Sequence, residues 1–536
     1  MVGLSNKDIA GVFRDIETLM KVVGEDKRRA QTYGRAAWMI EKLPDSAVDL
    51  AAAGRLTDVR GIGSSVEKVV MELLATGAST LREDLAARTT PAVLEMLRIP
   101  GLGPKKLHTI VQELAVNDLA SLRAAAADGR IAGLTGFGPK MARNILDGLE
   151  FLDATRGRVR IDHAAALAGV IIEKLGLEGA QNAGALRRRE PIVGTLAIVA
   201  LGDAGGVEIP GATRDGDTWV LPRGTDPEIR IRFADDAGFA HALFEETGPA
   251  DHVSAVLAKP GQDASEEEIY TSRGLHFVPP ERRHACDGTS PIPALVERSD
   301  LRGMLHVHTT WSDGKRTIAE MAEAARERGY SYLGVTDHSR SAIYANGLTI
   351  DRLQLQAAEI RGYNESAPDG FRVLHGTEAD ILPDGQMDFP DEVLAELDFV
   401  IASVHSSFTQ PPEVVTDRIV RAVSNPHVDI LGHSTGRLLL RRDGYAVDVE
   451  RVLAAAAEHN TMVELNASPW RLDLAPEHHA RARELGIGVP IQPDAHDTPG
   501  MDDNDWGIGA ARHGGLTADD VPNTLDVDAF LERCRA

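Results

Sequence analysis

The chain has little cysteine. Cys286 and Cys534 are the only two in 536 residues and lie far apart. That excludes a disulfide framework and fits a reducing compartment, so a cytoplasmic protein is expected. Long apolar runs are missing as well. No stretch approaches the ~20 residues of a membrane helix. Residues 6–15 are polar and charged, so no signal peptide is expected. Basic excess is also lacking: 57 Lys and Arg against 81 Asp and Glu leave a net charge of −24. Phosphate contact wants positive charge, so this balance argues against a generic nucleic-acid binder, and the local distribution matters more than the sum. Residues 97–147 carry seven Lys or Arg against four Asp or Glu. The hydrophobic fraction of 43% is ordinary for a globular protein, and the length suggests three or four domains.

The richest pattern lies in residues 301–536. Seven short apolar runs, 304–309, 332–338, 371–381, 398–406, 428–433, 462–467 and 489–496, read as strands. Stretches with helical spacing lie between them, as at 318–328, 352–363 and 449–459. Such alternation builds a parallel sheet covered or closed by helices, with the active site at the C-terminal strand ends. Six runs end in side chains that bind metals. The candidates are His306, His308, Asp313, His338, Glu378, His405, His433, Asp494 and His496. A single strand-end His is more often a hydrogen-bonded structural residue. The pairs change that: His306 and His308, like Asp494 and His496, share one strand face because the strand period is two. Nine such groups on one mouth point to two or three divalent metals. Zn²⁺ suits the imidazoles and Mn²⁺ the mixed carboxylate sites, so both stay open. Neighbouring cations and a deprotonated water hydrolyse phosphoesters. Arg437 and Arg471 are candidates to grip a phosphate, with a salt bridge such as Arg471–Asp473 as the plainer reading. Asn466 ends the one strand without a ligand, where it orients substrate or caps a turn.

The segments HVHTTWSDG (306–314), TDHS (336–339), GTEADIL (376–382), ASVHS (402–406), GHS (432–434) and PDAH (493–496) resemble the PHP family, named for polymerase and histidinol phosphatase. The resemblance implies a distorted seven-stranded barrel with a trinuclear site. It assigns His306, His308, Glu378 and Asp494 to one metal. Glu378 bridges to a second with His405 and His433, and Asp313, His338 and His496 hold a third.

The N-terminal region repeats. VRGIGSSVEKVV (59–70), IPGLGPKKLHTI (99–110) and LTGFGPKMARNI (134–145) share a hydrophobic-x-Gly-hydrophobic-Gly turn before a helix. The glycines Gly61, Gly63, Gly101, Gly103, Gly136 and Gly138 allow a tight turn close to a ligand, and the helix start offers free N–H groups to a phosphate. One Gly-x-Gly would be an ordinary turn, but three copies read as helix-hairpin-helix DNA clamps. Lys105, Lys106 and Lys140 add charge. Related hairpins also hold a monovalent cation on the turn carbonyls.

Residues 1–300 resemble a bacterial family X DNA polymerase, so the whole chain resembles the polymerase X–PHP fusions. The resemblance implies an all-α helix-hairpin-helix region, an α+β nucleotidyltransferase-like palm and thumb, and a C-terminal distorted (β/α)7 barrel. The expected divisions are a lyase-like domain at 1–77, fingers at 78–155, palm and thumb at 156–285, a linker at 286–300 and the PHP domain at 301–536. The palm departs from the family. In GALRRREPIVGTLAIVA (184–200) Gly184, Arg187, Arg188 and Gly194 match, but the motif serine is Ala185. The two metal-binding aspartates fall on Thr195 and Ala197, and the third carboxylate falls on Glu228. Two-metal nucleotidyl transfer needs those carboxylates, so polymerase activity is expected to be absent. The family's Schiff-base lysine aligns with Val69, and Lys68 points about 100° away on a helix, so lyase activity is expected to be absent or weak. The favoured reading is a nucleoid-associated, metal-dependent 3′–5′ exonuclease or 3′-end and abasic-site processing enzyme of DNA repair. Its expected partner is DNA rather than a membrane, with repair-protein partners left unnamed. Two alternatives are a small-molecule phosphatase resembling histidinol phosphatase and a non-catalytic DNA-binding scaffold.

Overall fold

The computed structural model describes residues 4–43, 45–222, 227–258, 261, 263–368 and 370–535. The outermost positions of the expected first and last domains, 1–3 and 536, lie outside them. The chain divides into two compact units, one ending at Arg156 and one beginning at Gly157.

The first unit is helical. Asn6–Val23 begins at Ser5, whose side chain accepts from the Asp8 N–H while the Asp8 carboxylate accepts from the Ser5 N–H. This reciprocal cap satisfies two helix-end donors. Gly24, left-handed at φ 79°, ends the helix. Ile9, Phe13, Ile16 and Met20 recur at helical spacing and are buried. They pack with Tyr33 and Ile40 of Lys27–Glu41, Val66 and Val69 of Ser64–Thr76, and Leu85. A second core gathers Val93, Met96, Ile99, Leu107, Ile110, Ile145 and Leu149.

The second unit opens with a mixed sheet. Its spatial order is Gln181–Asn182, Thr195–Leu201, Glu228–Ala234, Thr218–Leu221, Thr213–Asp215. Thr195–Leu201 and Glu228–Ala234 run parallel, and the other pairings are antiparallel. Side chains alternate between two faces. Leu196, Ile198 and Ala200 join a core that continues into the C-terminal region, while Ala197 and Val199 pack on Ala242 and Leu243.

A curled parallel sheet follows. Six strands lie side by side in chain order: Gly303–Val307, Tyr332–Val335, Arg372–Asp380, Phe399–Ser403, Ile430–Leu431 and Met462–Val463. Helices Ile318–Glu327, Ile350–Ser366, Pro412–Val423 and Val449–Glu458 connect strands. Leu465–Asn466 pairs in parallel with Ile491–Gln492, and an isolated parallel bridge joins Ala495 back to Val307. The expected seven-stranded barrel is thus a curled sheet whose last strand is tied in by short ladders. Phe399, Tyr332 and Phe530 fill one end of it. Gly334 and Gly376 make room: a Cβ at either would lie 2.6 or 2.8 Å from the Phe399 ring. Truncating Phe399 to Ala would cost about 3–5 kcal/mol.

Candidate metal centre and nucleic-acid interface

All nine candidate ligands meet at one mouth, on the C-terminal ends of the strands. Glu378 is the hub. Its carboxylate lies 3.3 Å from His306 Nε2, 3.7 Å from His308 Nε2, 2.9 Å from His338 Nδ1, 3.2 Å from His405 Nε2 and 2.9 Å from His433 Nε2. Asp494 lies 3.6 Å from His306, 3.2 Å from His308 and 3.8 Å from His496. Asp313 lies 4.0 Å from His308, 3.7 Å from His338 and 3.4 Å from His496. Ligand atoms cluster within 4.8 Å in three sets: His308, Asp313, His338 and His496; His306, His308 and Asp494; and His338, Glu378 and His405. Compared with the expected grouping, His308 and His338 each reach two clusters, and His433 meets the centre through Glu378.

The backbone is bent to achieve this. The first strand slips register between Met304 and Val307, the kind of bulge that re-aims side chains beside active sites. His306, His433 and Asp494 have φ of 56°, 22° and 55°, a left-handed conformation that costs a non-glycine residue about 1–3 kcal/mol. Gly314 lets the Asp313 turn lie on the strand, since a Cβ there would stand 2.4 Å from the His308 carbonyl oxygen.

The donor set fits divalent metals. His306 Nε2, both ring nitrogens of His308 and His338 Nδ1 are buried without hydrogen-bond partners. Carboxylate oxygens stand within 4.0 Å of each, but out of hydrogen-bond alignment. Buried polar atoms of this kind are normally satisfied, and a shared cation satisfies several at once. The electrostatics agree. Burial opposes charge on His405, yet Glu378 and Asp380 overcome it and lift its pKa to about 10. Burial likewise opposes charge on His496, and Asp313 with Asp494 lifts it to about 9. His308 goes the other way, to about 4, through burial and then its neighbours His496 and His338. Despite burial, Glu378 and Asp494 are held well below the carboxylate range by the imidazoles around them. Without cations, protons on imidazoles are what balance the carboxylates.

Several supporting residues escape a search for ligands. Glu464, fully buried, accepts from His306 Nδ1 at 2.5 Å and from the His433 N–H at 2.5 Å. Asp380 holds His405 Nδ1 at 2.6 Å. Asp337 accepts from Thr309, Ser312 and Gln356 and so fixes the loop after the first strand. Such carboxylate–imidazole pairs set the ring orientation of metal ligands. The available signal was parity: Glu464 lies two residues from Asn466 and shares its strand face. Asn466 donates to Asp494 Oδ2 at 3.1 Å and accepts from the Ser468 N–H at 3.2 Å, so it both orients a ligand and caps a turn. Arg471 faces Asp494, with its Nε 3.8 Å from Oδ2. The alternative partner, Asp473, instead accepts from the N–H groups of Thr435 and Gly436. Arg437 donates to the carbonyls of Arg471 and Leu472, so its guanidinium edge supports the Arg471 loop.

The palm positions also converge. Thr195 is the register partner of Glu228, and Ala197 of Arg230. Thr195, Ala197 and Arg230 line a cleft of about 400 Å³ with Ala185, Arg158, Arg188 and Glu190, and Glu228 is not part of its lining. Arg230 is paired with Glu246 at 3.7 Å. Thr195 and Ala197 place no carboxylate on their strand.

The three hairpins share one geometry. Gly61, Gly101 and Gly136 are left-handed, at φ 92°, 79° and 82°. Gly63, Gly103 and Gly138 are the N-caps of Ser64–Thr76, Pro104–Leu114 and Pro139–Thr155, with no side-chain cap on any of these helices. A Cβ at any of these three N-caps would meet nothing within 4 Å. The helix-start N–H groups therefore lack a side-chain acceptor and lie beside open space, as a phosphate clamp requires. Lys105 and Lys140 are exposed. Lys106 instead donates to the Gly101 carbonyl at 3.3 Å and supplies a positive charge to that turn. Val69 is buried and Lys68 exposed.

Comparison with known proteins agrees with this architecture. The PHP domain family matches residues 304–468, a helix-hairpin-helix domain family matches 4–79, and a SAM-like helix-hairpin-helix tandem matches 53–116 and 93–150. The chain is 35% identical to the DNA polymerase/3′-5′ exonuclease PolX of Bacillus subtilis, over 99% of this chain and 100% of that protein. It is 33% identical to a probable phosphatase of Caldanaerobacter subterraneus, over 37% of this chain and 78% of that protein. It is 29% identical to a probable phosphatase of a Thermoanaerobacter species, over 42% and 91%. PHP domains are metal-dependent, and the mouth carries clusters that could bind metal.

Proposed function

We infer the function from one premise: this chain belongs to the bacterial DNA polymerase X proteins that carry a PHP domain. The coarse activity follows, a PHP-type phosphoesterase joined to helix-hairpin-helix elements that indicate DNA binding. Among the described residues no helix is long and apolar enough to cross a membrane. We propose the finer reading of a 3′–5′ exonuclease that trims 3′ ends, including damaged or abasic ones, in cytoplasmic DNA repair beside the nucleoid. The observation that carries it is the convergence of six imidazoles on three carboxylates with orphaned ring nitrogens.

In this reading His306, His308, Glu378 and Asp494 hold one metal. Glu378, His405 and His433 hold a second, and Asp313, His338 and His496 a third. Divalent cations bound there would supply Lewis acidity and an acidic water at neutral pH. Zn²⁺ and Mn²⁺ both suit the donors. The reaction forms a bond from a water oxygen to phosphorus and breaks the bond to O3′ of the preceding nucleotide. That oxygen takes up a proton, and a nucleoside 5′-monophosphate leaves. Glu464 and Asp380 keep the imidazoles of His306 and His405 turned inward, and Arg471 offers a cation to the phosphate. The hairpins and Lys105 and Lys140 grip the DNA backbone without reading bases. The domain limits 1–77, 78–155, 156–285 and 301–536, with a linker between the last two, are proposed on the same grounds. The palm is proposed to be inactive as a polymerase, because Thr195 and Ala197 offer no carboxylate for two-metal chemistry. Lyase activity is proposed to be absent or weak, since Val69 is buried where the amine would be needed.

The phosphatase likeness of the PHP segment favours a second reading, hydrolysis of small phosphate monoesters. One experiment separates them. The full chain is incubated with a 5′-labelled primer–template, with Mn²⁺ or Zn²⁺, with and without dNTPs, and beside a small monoester. A shortening ladder without extension supports the exonuclease. Turnover of the monoester alone supports the phosphatase, and no turnover leaves a scaffold.

A further inference from the structure

A short turn at the mouth has a role that metal binding does not explain. Residues Ile343–Ala345 form one 3₁₀ turn after the strand that delivers His338. Ala342 and Ala345 are buried at 0% and 1% exposure, while Ile343 and Tyr344 between them are 84% and 71% exposed. Two adjacent large apolar side chains therefore stand in solvent beside the ligand cluster. The Tyr344 ring centre lies 6.3 Å from that of His338 and 6.5 Å from that of His405.

The turn is fixed at both ends. Before it, Ser341 donates its hydroxyl to Asp380 Oδ2 at 2.6 Å and its N–H to Asp388 Oδ2 at 2.7 Å. Asp380 is the carboxylate that holds His405. After it, the Asn346 amide donates to the carbonyls of Trp311 and Ser312 at 3.1 and 3.3 Å. The Leu348 N–H donates to the His338 carbonyl at 2.8 Å. Gly347 is pressed so close that a Cβ would lie 1.9 Å from the Ser339 carbonyl oxygen. A loose loop could fold its apolar side chains inward, but this one is pinned with them outward. The Tyr344 ring stays beside the imidazoles of His338 and His405. Burial at the mouth and the carboxylates of Asp380, Glu378 and Asp313 push the Tyr344 phenol above its ordinary pKa, with Arg471 acting in the opposite sense.

A fixed aromatic face next to a phosphodiester-cleaving centre fits one partner well. Every nucleobase has a π face, and stacking on an aromatic side chain tolerates any sequence. A neighbouring branched apolar residue fits between base steps as a wedge. We propose that Ile343 and Tyr344 form a base platform: Tyr344 stacks the base of the 3′-terminal nucleotide and Ile343 separates it from the base before. The last base then enters the mouth unstacked from the base before it. This rests on the phosphodiesterase reading above.

The test uses the full chain loaded with Mn²⁺. A single-stranded oligonucleotide ends in 2-aminopurine behind a phosphorothioate last linkage, which blocks hydrolysis so that binding is read alone. Binding should quench the terminal fluorophore in the parent protein and in Tyr344→Phe. The quench should be lost in Tyr344→Ala and reduced in Ile343→Ala. Turnover gives a second reading: the parent should favour a base-bearing 3′ end over a 3′ abasic analogue by about tenfold to a hundredfold in kcat/KM. Tyr344→Ala should erase that preference through KM, with kcat held. Equal quenching in Tyr344→Ala, or an unchanged preference, would overturn the platform. If the parent released no nucleotide from any DNA end, the phosphodiesterase reading would fail, and the quench would still decide whether a base is held at Tyr344.

Discussion

The second unit contains two places where strand residues from neighbouring parallel strands converge, and they have opposite chemistry. At the barrel mouth, six imidazoles surround three carboxylates within 4.0 Å, and buried ring nitrogens lack partners. At the palm, Thr195 and Ala197 face their register partners Glu228 and Arg230, and Arg230 is neutralised by Glu246. Both scaffolds have paired parallel strands and buried faces. Among the described residues, only the mouth gathers a candidate metal-ligand set. Strand pairing depends on backbone and apolar packing, so a sheet holds together whether or not its strand ends carry such side chains. A metal centre depends on every ligand and gives no such tolerance.

The largest effect is expected at the mouth. Changing both His306 and His308 to Ala should lower phosphodiester hydrolysis on the order of a thousandfold or more. Bound metal, measured by elemental analysis, should fall, while DNA binding by the full chain is retained. Undiminished cleavage would remove these residues from the centre, and EDTA should reproduce the loss.

The palm supplies the converse. Primer extension should stay undetectable with any dNTP and either Mg²⁺ or Mn²⁺, measured on protein freed of contaminating polymerases. Thr195→Asp with Ala197→Asp should not restore it, since Ala185 and the Arg230–Glu246 pair would remain. Template-directed extension by the parent chain would erase the contrast between the two sites.

A smaller effect is expected one layer out. Glu464→Gln keeps the shape but weakens the hold on His306 Nδ1, and metal affinity should fall about 10–100-fold. Calorimetric titration of the metal-free protein would measure it, and an unchanged affinity would make Glu464 a packing residue only.

Proton linkage should also distinguish the two sites. His405 and His496, at about 10 and about 9, keep protons in the folded metal-free chain. An unfolded His loses its proton near 6.5. Their stabilisation is therefore complete below about pH 6.5 and lost as pH rises through 9–10. Metal binding near pH 7.5 should release these protons, because the ligands bind deprotonated. Titration in buffers of different ionisation enthalpy would detect the release. Its absence would mean that these rings do not ligate. The palm should show no metal-linked proton change.

The smallest effect belongs to the hairpins. Lys105→Ala should weaken DNA binding evenly across sequences and flatten the salt dependence by roughly 0.9 in slope. Lys106→Ala should act partly by destabilising the turn whose carbonyl it holds. A sequence-dependent loss would show base reading instead.

The sequence by itself determined the parts that depend on short-range rules. The Gly-x-Gly turns had to bend where they do because Gly61, Gly101 and Gly136 adopt positive φ, and three repeats announced three turns of one geometry. The convergence of the nine candidate ligands was legible because strands of period two deliver residues to a common end. The missing carboxylates at Thr195 and Ala197 were legible because a motif shows its own gaps. Only the tertiary structure decided the rest. Glu464 had to be seen between His306 and His433, 158 and 31 residues away in the chain. The sharing of His308 and His338 between clusters depends on a bulge and a curled sheet. Whether Arg471 met Asp473 or Asp494 depended on which carboxylate the fold had already occupied, and Asp473 was taken by backbone N–H groups. Nothing in the sequence singles out Ile343 and Tyr344. The fold leaves them in solvent because Ser341 and Asn346 pin the turn from both sides. Local geometry is written in neighbouring residues, whereas partners across a curled sheet are chosen by which strands come to lie side by side.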